Sequence, residues 1–281
     1  MPYQMPNKNS SVNKMPNILA ISGLDPSGGA GLIADIKTIS ALNGFGTGVV
    51  TCLTTQNTQS VLALNSVKPQ IIQQQLRHLF SDVKIDAVKI GVMCNASIID
   101  VVAEELSVYP SIPIVLDTVI EASSNNSSFL DRQSLDVLCE KLAPLARVIT
   151  PNLSEAVRII KKNMPLTKEE MRNMARELYD FFFLTTGKLI YLKGGHLESD
   201  SCPDVLFDGV KFVSLEKKRI NIGKTHGTGC TLSSAIATLI PQSPTVFEAC
   251  RLAKEYVFGA IKATDSLSAG NGAKSLNHFH V

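Results

Sequence analysis

Short apolar segments rich in β-branched residues alternate with longer segments of helical periodicity from residue 18 onward, and this alternation constrains the fold more than any other feature. A strand, a crossover helix and a second strand form βαβ units around a parallel sheet. Six segments have the length and composition of buried strands, and each ends in a polar or glycine-containing loop: 18–22, 48–54, 87–91, 114–117, 147–150 and 189–193. We therefore predict an α/β fold with a mostly parallel sheet.

Two helices between these strands are predicted from the spacing of their apolar residues. In segment 69–83 the apolar stripe consists of Ile72, Leu76, Leu79, Phe80 and Val83. Thr167 and Glu170 form a capping-box pattern before a second stripe made of Met171, Met174, Ala175, Leu178 and Phe182. Segment 204–222 instead contains Asp208-Gly209, a pair suited to a tight hairpin, so we expect antiparallel edge strands there.

The composition excludes several classes of protein. With 44% hydrophobic residues, 19% charged residues and a net charge of +2, the chain is typical of globular proteins and predicts no nucleic-acid partner. No segment approaches the roughly 18 consecutive apolar residues of a membrane span. Six scattered cysteines without a CxxC pair indicate reduced thiols in the cytoplasm. Residues 1–17 are polar and contain three prolines, which predicts a disordered tail before a single domain at 18–281.

Ligands of open α/β sheets bind beyond the carboxyl ends of the strands, so the loops after the strands are the candidate sites. The first is the glycine-rich loop 23–31, which is either a plain turn or a place where a ligand approaches the backbone closely. Asp35 follows it near a helix start, where a carboxylate complements the helix dipole and is most simply structural. The amide of Gln56 either caps a loop or pairs with the donor and acceptor edge of a heteroaromatic ring.

Charged and amide side chains follow three later strands. Asp117 would emerge at the ligand-facing end of the sheet, where it could bind magnesium or face a phosphate. Asn152 and Glu155 are most simply the N-cap and first-turn acid of a helix. The alternative places Glu155 on a metal-bound water beside nucleotide phosphates. Lys193 is followed by two glycines and would bring a cation to the same region.

The segment 225–240, THGTGCTLSSAIATLI, is the most informative part of the sequence, because glycines and small residues lead directly into an apolar helix. The first N–H groups of a helix are unpaired and lie at the positive end of its dipole. Gly227, Thr228 and Gly229 could therefore form an anion hole for phosphoryl transfer. The same dipole would lower the pKa of Cys230 below its free value of about 8.5 and suit it to act as a general base. The alternative is a buried cysteine that packs an ordinary helix.

Eight motifs occur in the order found in the ribokinase-like vitamin kinases: GLDPSGGAG, ADIKT, QNTQSV, KIGVM, LDTV, TPNLSEA, KGGH and HGTGCTLSSA. They span most of the chain, which most resembles the hydroxymethylpyrimidine and phosphomethylpyrimidine kinases of thiamine biosynthesis; residues 277–280 also look like that family's ending. The resemblance implies a ribokinase-like three-layer α/β/α sandwich and a homodimer. It also implies an enzyme that uses ATP and magnesium to phosphorylate 4-amino-5-hydroxymethyl-2-methylpyrimidine and then its monophosphate.

The resemblance implies roles for individual residues as well. Sugar kinases of the superfamily have aspartate at the position of Cys230, so a cysteine there points to the vitamin kinases, in which it would face the hydroxymethyl group. Four residues would recognise the pyrimidine or line its pocket: Gln56, Asp35, Gly23 and Val119. Four more would serve the nucleotide phosphates and magnesium, the last two as magnesium ligands partly through water: Asn152, Lys193, Asp117 and Glu155.

Two departures from the family pattern keep alternatives open. The lysine-serine-glycine loop that commonly follows LDTV is replaced by residues 121–126, EASSNN, and the methionine that follows KIG is replaced by Val92. A pyridoxine or pyridoxal kinase would share the fold and the anion-hole loop, although Gln56 favours the aminopyrimidine. A non-catalytic pyrimidine-binding regulatory protein is the alternative of another class, although the predicted catalytic residues are intact.

Overall fold

The computed structural model describes residues 14–121, 129–195 and 201–281. Within these residues nine strands form one sheet: β1 (Asn17–Leu24), β2 (Phe45–Gln56), β3 (Val61–Ser66), β4 (Ala87–Ile90), β5 (Ile114–Leu116), β6 (Val148–Ile149), β7 (Leu189–Leu192), β8 (Ser201–Phe207) and β9 (Phe212–Lys218). A separate parallel pair consists of β10 (Thr225–His226) and β11 (Lys274–Ser275).

Helices cover both faces of the sheet. In chain order they are α1 (Gly31–Ala41), α2 (Pro69–Phe80), α3 (Ala96–Ser107), α4 (Arg132–Val137), α5 (Leu153–Ile160), α6 (Lys168–Phe182), α7 (Thr228–Leu239) and α8 (Val246–Lys262). Helices α2 to α6 contribute to the hydrophobic core on one face, and α1, α7 and α8 contribute to the core on the other. The predicted three-layer α/β/α sandwich is therefore confirmed.

The strand order is β3-β2-β1-β4-β5-β6-β7-β8-β9. The six central strands in this order, β2, β1, β4, β5, β6 and β7, run parallel. The predicted antiparallel edge is present, because β8 pairs antiparallel with β7 and with β9. At the predicted hairpin, Asp208 Oδ1 accepts hydrogen bonds from the backbone N–H groups of residues 210 and 211, at 3.0 and 2.8 Å. Gly209 adopts a φ of 91°, which a glycine reaches without strain.

The opposite edge of the sheet is antiparallel too, which the sequence analysis did not predict. Here β3 pairs with the end of β2. Residues 61–64 of β3 form a short apolar run, VLAL, but every residue of the strand is partly buried or exposed, unlike those of the central strands. All six predicted strands are present, with ends shifted by up to three residues.

Both predicted helices are present. The N-terminus of α6 has the predicted capping box, in which the N–H of Glu170 donates to Thr167 Oγ1 and the N–H of Thr167 donates to Glu170 Oε2, both at 3.2 Å. All five predicted core residues of α6 are buried. Helix α2 ends at Phe80, and Ile72 and Leu76 are its fully buried residues.

Two predictions fall largely outside the described residues. Of the predicted tail, residues 14–17 are described, and Asn17 already begins β1. Of the altered loop 121–126, only Glu121 is described. Among the helices in the described ranges, none combines the length and the apolar character needed to cross a membrane.

Candidate active site

A charged cluster lies at the carboxyl ends of β5, β6 and β7, which are neighbours in the sheet. Asp117 follows β5 and Lys193 follows β7, and Lys193 Nζ donates to Asp117 Oδ1 at 3.0 Å. The hydroxyl of Thr150, just after β6, donates to the same carboxylate oxygen at 3.1 Å. Lys193 Nζ also lies 4.0 Å from Glu155 Oε2. Since parallel strands end at one edge of a sheet, residues far apart in sequence meet here.

Asn152 and Glu155 cap α5 and border this cluster at the same time. Asn152 Oδ1 accepts from the N–H of Glu155 at 2.9 Å, and Glu155 Oε2 accepts from the N–H of Asn152 at 2.8 Å, so the simpler N-cap interpretation is confirmed. Burial raises the pKa of Glu155 to about 7; the charge of Lys193 opposes this shift and that of Asp117 adds to it. Glu155 therefore caps α5, and its protonation depends on its burial and on the neighbouring charges of Lys193 and Asp117.

The N-terminus of α7 approaches the charged cluster through bare backbone. Gly227 is its N-cap with a φ of 83°, and a Cβ at this position would lie 1.8 Å from the carbonyl oxygen of Gly29. A Cβ on Gly229 would lie 3.3 Å from Lys193 Nζ and 3.4 Å from Asp117 Oδ2. The predicted anion-hole segment thus faces a cation and a carboxylate, with no side chain at Gly229 between them.

Thr228, the third predicted member of the anion hole, begins α7. Its hydroxyl lies 3.2 Å from that of Thr225. This contact ties the first turn of the helix to β10. Contact of Thr228 with a phosphate stays a prediction.

Cys230 lies in the first turn of α7. Burial raises its pKa to about 11, with an opposing effect of Lys89 and smaller upward effects of Asp35 and Asp117. The prediction that the helix dipole lowers this pKa is therefore wrong, because desolvation and two carboxylates outweigh it. The thiol holds its proton at neutral pH.

Asp35 lies on the buried side of α1, where it forms an ion pair with Lys89 of β4. Lys89 Nζ donates to both carboxylate oxygens, at 2.8 and 2.7 Å, and the hydroxyl of Ser234 donates to Oδ1 at 2.8 Å. Burial raises the pKa of Asp35. Burial lowers the pKa of Lys89, but the negative charges around it, chiefly that of Asp35, outweigh this and the net shift is upward. Recognition of a substrate by Asp35 stays a prediction.

Lys89 is a site residue that the sequence analysis missed. All four residues of β4 are buried, and a lysine within such a strand requires a buried anionic partner. That requirement was the available signal. The sequence does not say which of its acidic residues meets it.

The remaining predicted pocket residues are Gly23, near the end of β1, and Val119, which follows β5. A Cβ on Gly23 would lie 2.7 Å from the sulfur of Cys52 and 3.6 Å from Cβ of Val92, so the bare backbone lets neighbouring segments meet over this strand. Val92 and Val119 are partly exposed, whereas Met93 is fully buried. Val92, and not Met93, is therefore available to line a pocket.

Gln56 is the last residue of β2, and its side chain contacts His226 of β10, directly before the predicted anion hole. Its side-chain amide lies 3.1 Å from His226 Nε2, and the same nitrogen lies 3.0 Å from Asp25 Oδ2. No role for His226 or Asp25 follows from the sequence pattern. The structure brings both to the predicted pyrimidine end of the site.

Cys230 lies within electrostatic range of both groups of charges, since Lys89, Asp35 and Asp117 all shift its pKa. It is two residues from Thr228, the first residue of α7, and one residue from Gly229, which faces Lys193 and Asp117. A thiol beside an anion site is suited to the transfer of a phosphoryl group to a bound hydroxyl.

Comparison with known proteins agrees with this chemistry. The family profile described as phosphomethylpyrimidine kinase matches residues 25–277. The hydroxymethylpyrimidine/phosphomethylpyrimidine kinase of Escherichia coli is 39% identical over 266 residues, which are 94% of this chain and 98% of that protein.

Two solved structures are similar over most of the chain. The phosphomethylpyrimidine kinase of Clostridium difficile has a TM-score of 0.76 and 33% identity, covering 88% of this chain and 100% of the other. The pyridoxal kinase of Bacillus subtilis, solved as an ADP complex, has a TM-score of 0.83 and 29% identity, covering 94% and 97%. These likenesses confirm the predicted ribokinase-like fold.

Proposed function

This chain belongs to the phosphomethylpyrimidine kinase family, and we propose that it transfers the γ-phosphate of ATP to 4-amino-5-hydroxymethyl-2-methylpyrimidine and then a second phosphate to the monophosphate, in thiamine biosynthesis. One observation supports this most. The bare backbone at Gly229, in the first turn of α7, faces the ammonium group of Lys193 and the carboxylate of Asp117. Phosphoryl transfer needs mainly such positioned donors and cations around the charge on the transferred group.

In the first step the hydroxyl oxygen of the substrate attacks the γ-phosphorus of ATP. The bond from that phosphorus to the bridging oxygen breaks and ADP leaves. The thiol of Cys230 first loses its own proton to solvent, and the resulting thiolate accepts the hydroxyl proton of the substrate. Because its pKa is about 11, the thiolate is scarce at neutral pH but strongly basic. The positive charge of Lys89 favours its formation. N–H groups of Gly227, Thr228 and Gly229 stabilise the charge on the transferred phosphoryl oxygens.

In the second step the nucleophile is an oxygen of the substrate's own phosphate. This oxygen is already ionised near neutral pH, so no base has to remove a proton. The two steps therefore share the anion hole and differ in their need for Cys230.

We propose that Asp117 and Glu155 hold magnesium, partly through water, and that Asn152 and Lys193 contact the nucleotide phosphates. Magnesium commonly takes one or two protein carboxylates together with water and substrate phosphates. Asp117 and Glu155 both lie beside Lys193, at the edge of the sheet where the phosphates would bind. When bound, magnesium neutralises charge on the phosphates.

Phosphorylation of pyridoxal is the second candidate, and the structural likeness to pyridoxal kinases favours it. Both substrates present a hydroxymethyl group on a six-membered heteroaromatic ring. Gln56 supports the aminopyrimidine, because its amide matches a ring edge with neighbouring donor and acceptor atoms.

A coupled assay of ADP release with hydroxymethylpyrimidine, its monophosphate and pyridoxal tests the proposal. We expect the highest kcat/KM with the two pyrimidines, and omission of magnesium should abolish turnover. A higher kcat/KM with pyridoxal would replace the first proposal by the second. Background turnover with all three compounds would contradict both.

We also propose that the protein is a cytoplasmic homodimer. Leu53 at the end of β2 and Leu62 in β3 are 49% and 80% exposed, which leaves apolar surface at one edge of the sheet for a second copy to cover. All six cysteines lie in the described ranges and are free thiols, as expected in a reducing compartment. Light scattering coupled to size-exclusion chromatography would measure the mass of the particle, and a monomer at micromolar concentration would contradict the dimer.

A further inference from the structure

The imidazole of His226 joins three segments that surround the predicted pyrimidine pocket. It belongs to β10, directly before the N-cap of α7. Its Nε2 lies 3.0 Å from Asp25 Oδ2, in the glycine-rich loop, and 3.1 Å from the amide atom assigned as Gln56 Nε2, at the end of β2. The ring also packs against Gly29, since a Cβ there would lie 2.9 Å from His226 Cδ2. Only 12% of the His226 side chain is exposed.

Asp25 determines in which of these contacts His226 is the hydrogen-bond donor. Its carboxylate accepts from the N–H and the hydroxyl of Ser27, at 2.8 and 2.7 Å, and from the N–H of Ala30 at 2.9 Å. Burial raises its pKa, but the hydrogen bonds from His226 and Ser27 outweigh burial and lower it. The carboxylate is therefore ionised, and an ionised oxygen at 3.0 Å requires a proton on His226 Nε2.

That proton fixes the orientation of the Gln56 amide. A nitrogen that donates to Asp25 has no lone pair with which to accept a hydrogen bond from an amide NH₂ group. The amide oxygen of Gln56 must then face the imidazole and share its N–H, because the oxygen and nitrogen of an amide are assigned from such networks. The NH₂ group of Gln56 is left to point away from His226, and the second lone pair of the amide oxygen stays available to accept from an amino group of the substrate.

We propose that His226 is a positioning residue that holds the NH₂ group of Gln56 toward the bound substrate, so that the site selects a ring nitrogen that can accept a hydrogen bond. This inference rests on the proposed function and deepens it. An aminopyrimidine presents two unprotonated ring nitrogens next to its other substituents. A ring that presents N–H or C–H at the position facing Gln56 leaves the amide donor unpaired, which costs affinity.

Two substitutions of His226 separate positioning from packing. His226→Phe keeps a flat ring against Gly29 but removes the donor, whereas His226→Gln keeps an amide donor at about the reach of Nε2. We expect His226→Phe to raise the KM for the pyrimidine about 10- to 100-fold, with the KM for ATP within about twofold of wild type. His226→Gln should recover most of the loss. His78→Phe, on an exposed position of α2, is the matched control and should leave both constants unchanged.

Combination with Gln56→Leu tests whether His226 acts through Gln56. We expect the double variant His226→Phe/Gln56→Leu to bind the pyrimidine no more weakly than Gln56→Leu alone, as measured by calorimetry. Additive losses would overturn the proposal, as would equal increases in the two KM values or equal effects of Phe and Gln at position 226.

Substrate analogues identify the atom that is selected. In two pyridine analogues, one or the other ring nitrogen is replaced by C–H. For one of them the difference between wild type and His226→Phe should disappear, and persistence of the difference for both would contradict the inference. Turnover of the pyrimidine by the wild type tests the proposed function separately. If the wild type neither phosphorylates nor binds the pyrimidine, both the function and this inference are overturned; if it does, only the variant comparisons decide.

Discussion

The ammonium group of Lys89 donates hydrogen bonds to both carboxylate oxygens of Asp35, and neither side chain is exposed to solvent. Removal of one partner from a buried ion pair leaves an uncompensated charge or forces the other partner to neutralise. We expect Lys89→Met to lower the free energy of unfolding by about 3–5 kcal/mol in urea denaturation. Lys89→Met/Asp35→Asn should recover a large part of this loss.

Lys84→Met is the matched control for this prediction. Lys84 pairs with Asp86 at 3.2 Å, but its side chain is 79% exposed. Exposed pairs contribute about 0–1 kcal/mol, so this variant should remain close to wild type. A Lys89→Met variant as stable as Lys84→Met would mean that Asp35 is not held as an anion by Lys89.

Substitution of Cys230 should affect the two phosphorylation steps unequally. In Cys230→Ala we expect kcat for hydroxymethylpyrimidine to fall about 100- to 10,000-fold, the usual contribution of a general base. With the monophosphate as substrate the fall should stay below about tenfold, because that nucleophile carries no proton to remove. Each step is measured separately by ADP release, with Cys202→Ala as the control. Equal losses in both steps would refute the base role.

The pH dependence of Cys230 alkylation measures its pKa directly. Thiolates react and thiols do not, so below a pKa of about 11 the rate should rise about tenfold per pH unit from pH 8 to 10. Iodoacetamide labelling followed by peptide mass spectrometry resolves Cys230 from the other cysteines. A rate that levels off near pH 8 would show that the helix dipole outweighs burial, as the sequence alone suggested.

The positions of the central strands along the chain, and of the loops that follow them, could be predicted from the sequence because their signals are local. Each central strand is a short apolar run, and the residues that follow it meet at one edge of the sheet whatever the detailed packing. The edge strand β3 also contains a short apolar run, VLAL at 61–64, but none of its residues is fully buried and the sequence analysis did not predict it. It becomes a strand only because the end of β2 offers unpaired backbone groups beside it.

The contacts within the site could not be predicted, because they join residues distant in sequence. Asp25 and His226 are 201 positions apart, and Lys89 and Asp35 are 54 apart. The direction of the Cys230 pKa shift also depends on the tertiary structure. The start of the helix can be predicted from the sequence, whereas the burial of the thiol, which outweighs the helix dipole, cannot.

Glu155 should make stability depend on pH in the direction opposite to that of a surface salt bridge. Its pKa is about 7 in the folded protein and about 4.5 in the unfolded chain, so the folded state binds the extra proton between these values. Stability contributed by this proton is therefore present at low pH and is lost as pH rises from about 4.5 to 7. In the absence of magnesium, the free energy of unfolding of Glu155→Gln relative to that of the wild type should rise by up to about 3 kcal/mol from pH 4 to pH 8.

Urea denaturation at the two pH values, with Glu170→Gln as the control, measures this gain. Glu170 holds the equivalent place in the exposed capping box of α6, so the difference between the two variants isolates burial from capping. If Glu155→Gln changed stability by the same amount at both pH values, folding would not raise the pKa of Glu155.

Alanine substitutions at Gly227 and Gly229, the two glycines of the predicted anion hole, should separate effects on stability from effects on activity. Gly229 lies within α7 with ordinary helical geometry, and a Cβ there would meet the flexible end of Lys193 at 3.3 Å, so Gly229→Ala should fold with stability equal to wild type or up to about 1 kcal/mol higher. The methyl group would occupy the space between the backbone donors and Asp117. We therefore expect kcat/KM to fall at least about 100-fold for both phosphorylation steps.

Gly227→Ala should instead destabilise the fold, because its Cβ would lie 1.8 Å from the carbonyl oxygen of Gly29 at a φ of 83°. Thermal unfolding and steady-state kinetics on both variants decide, and a fully active Gly229→Ala enzyme would show that phosphate does not approach α7 at this residue.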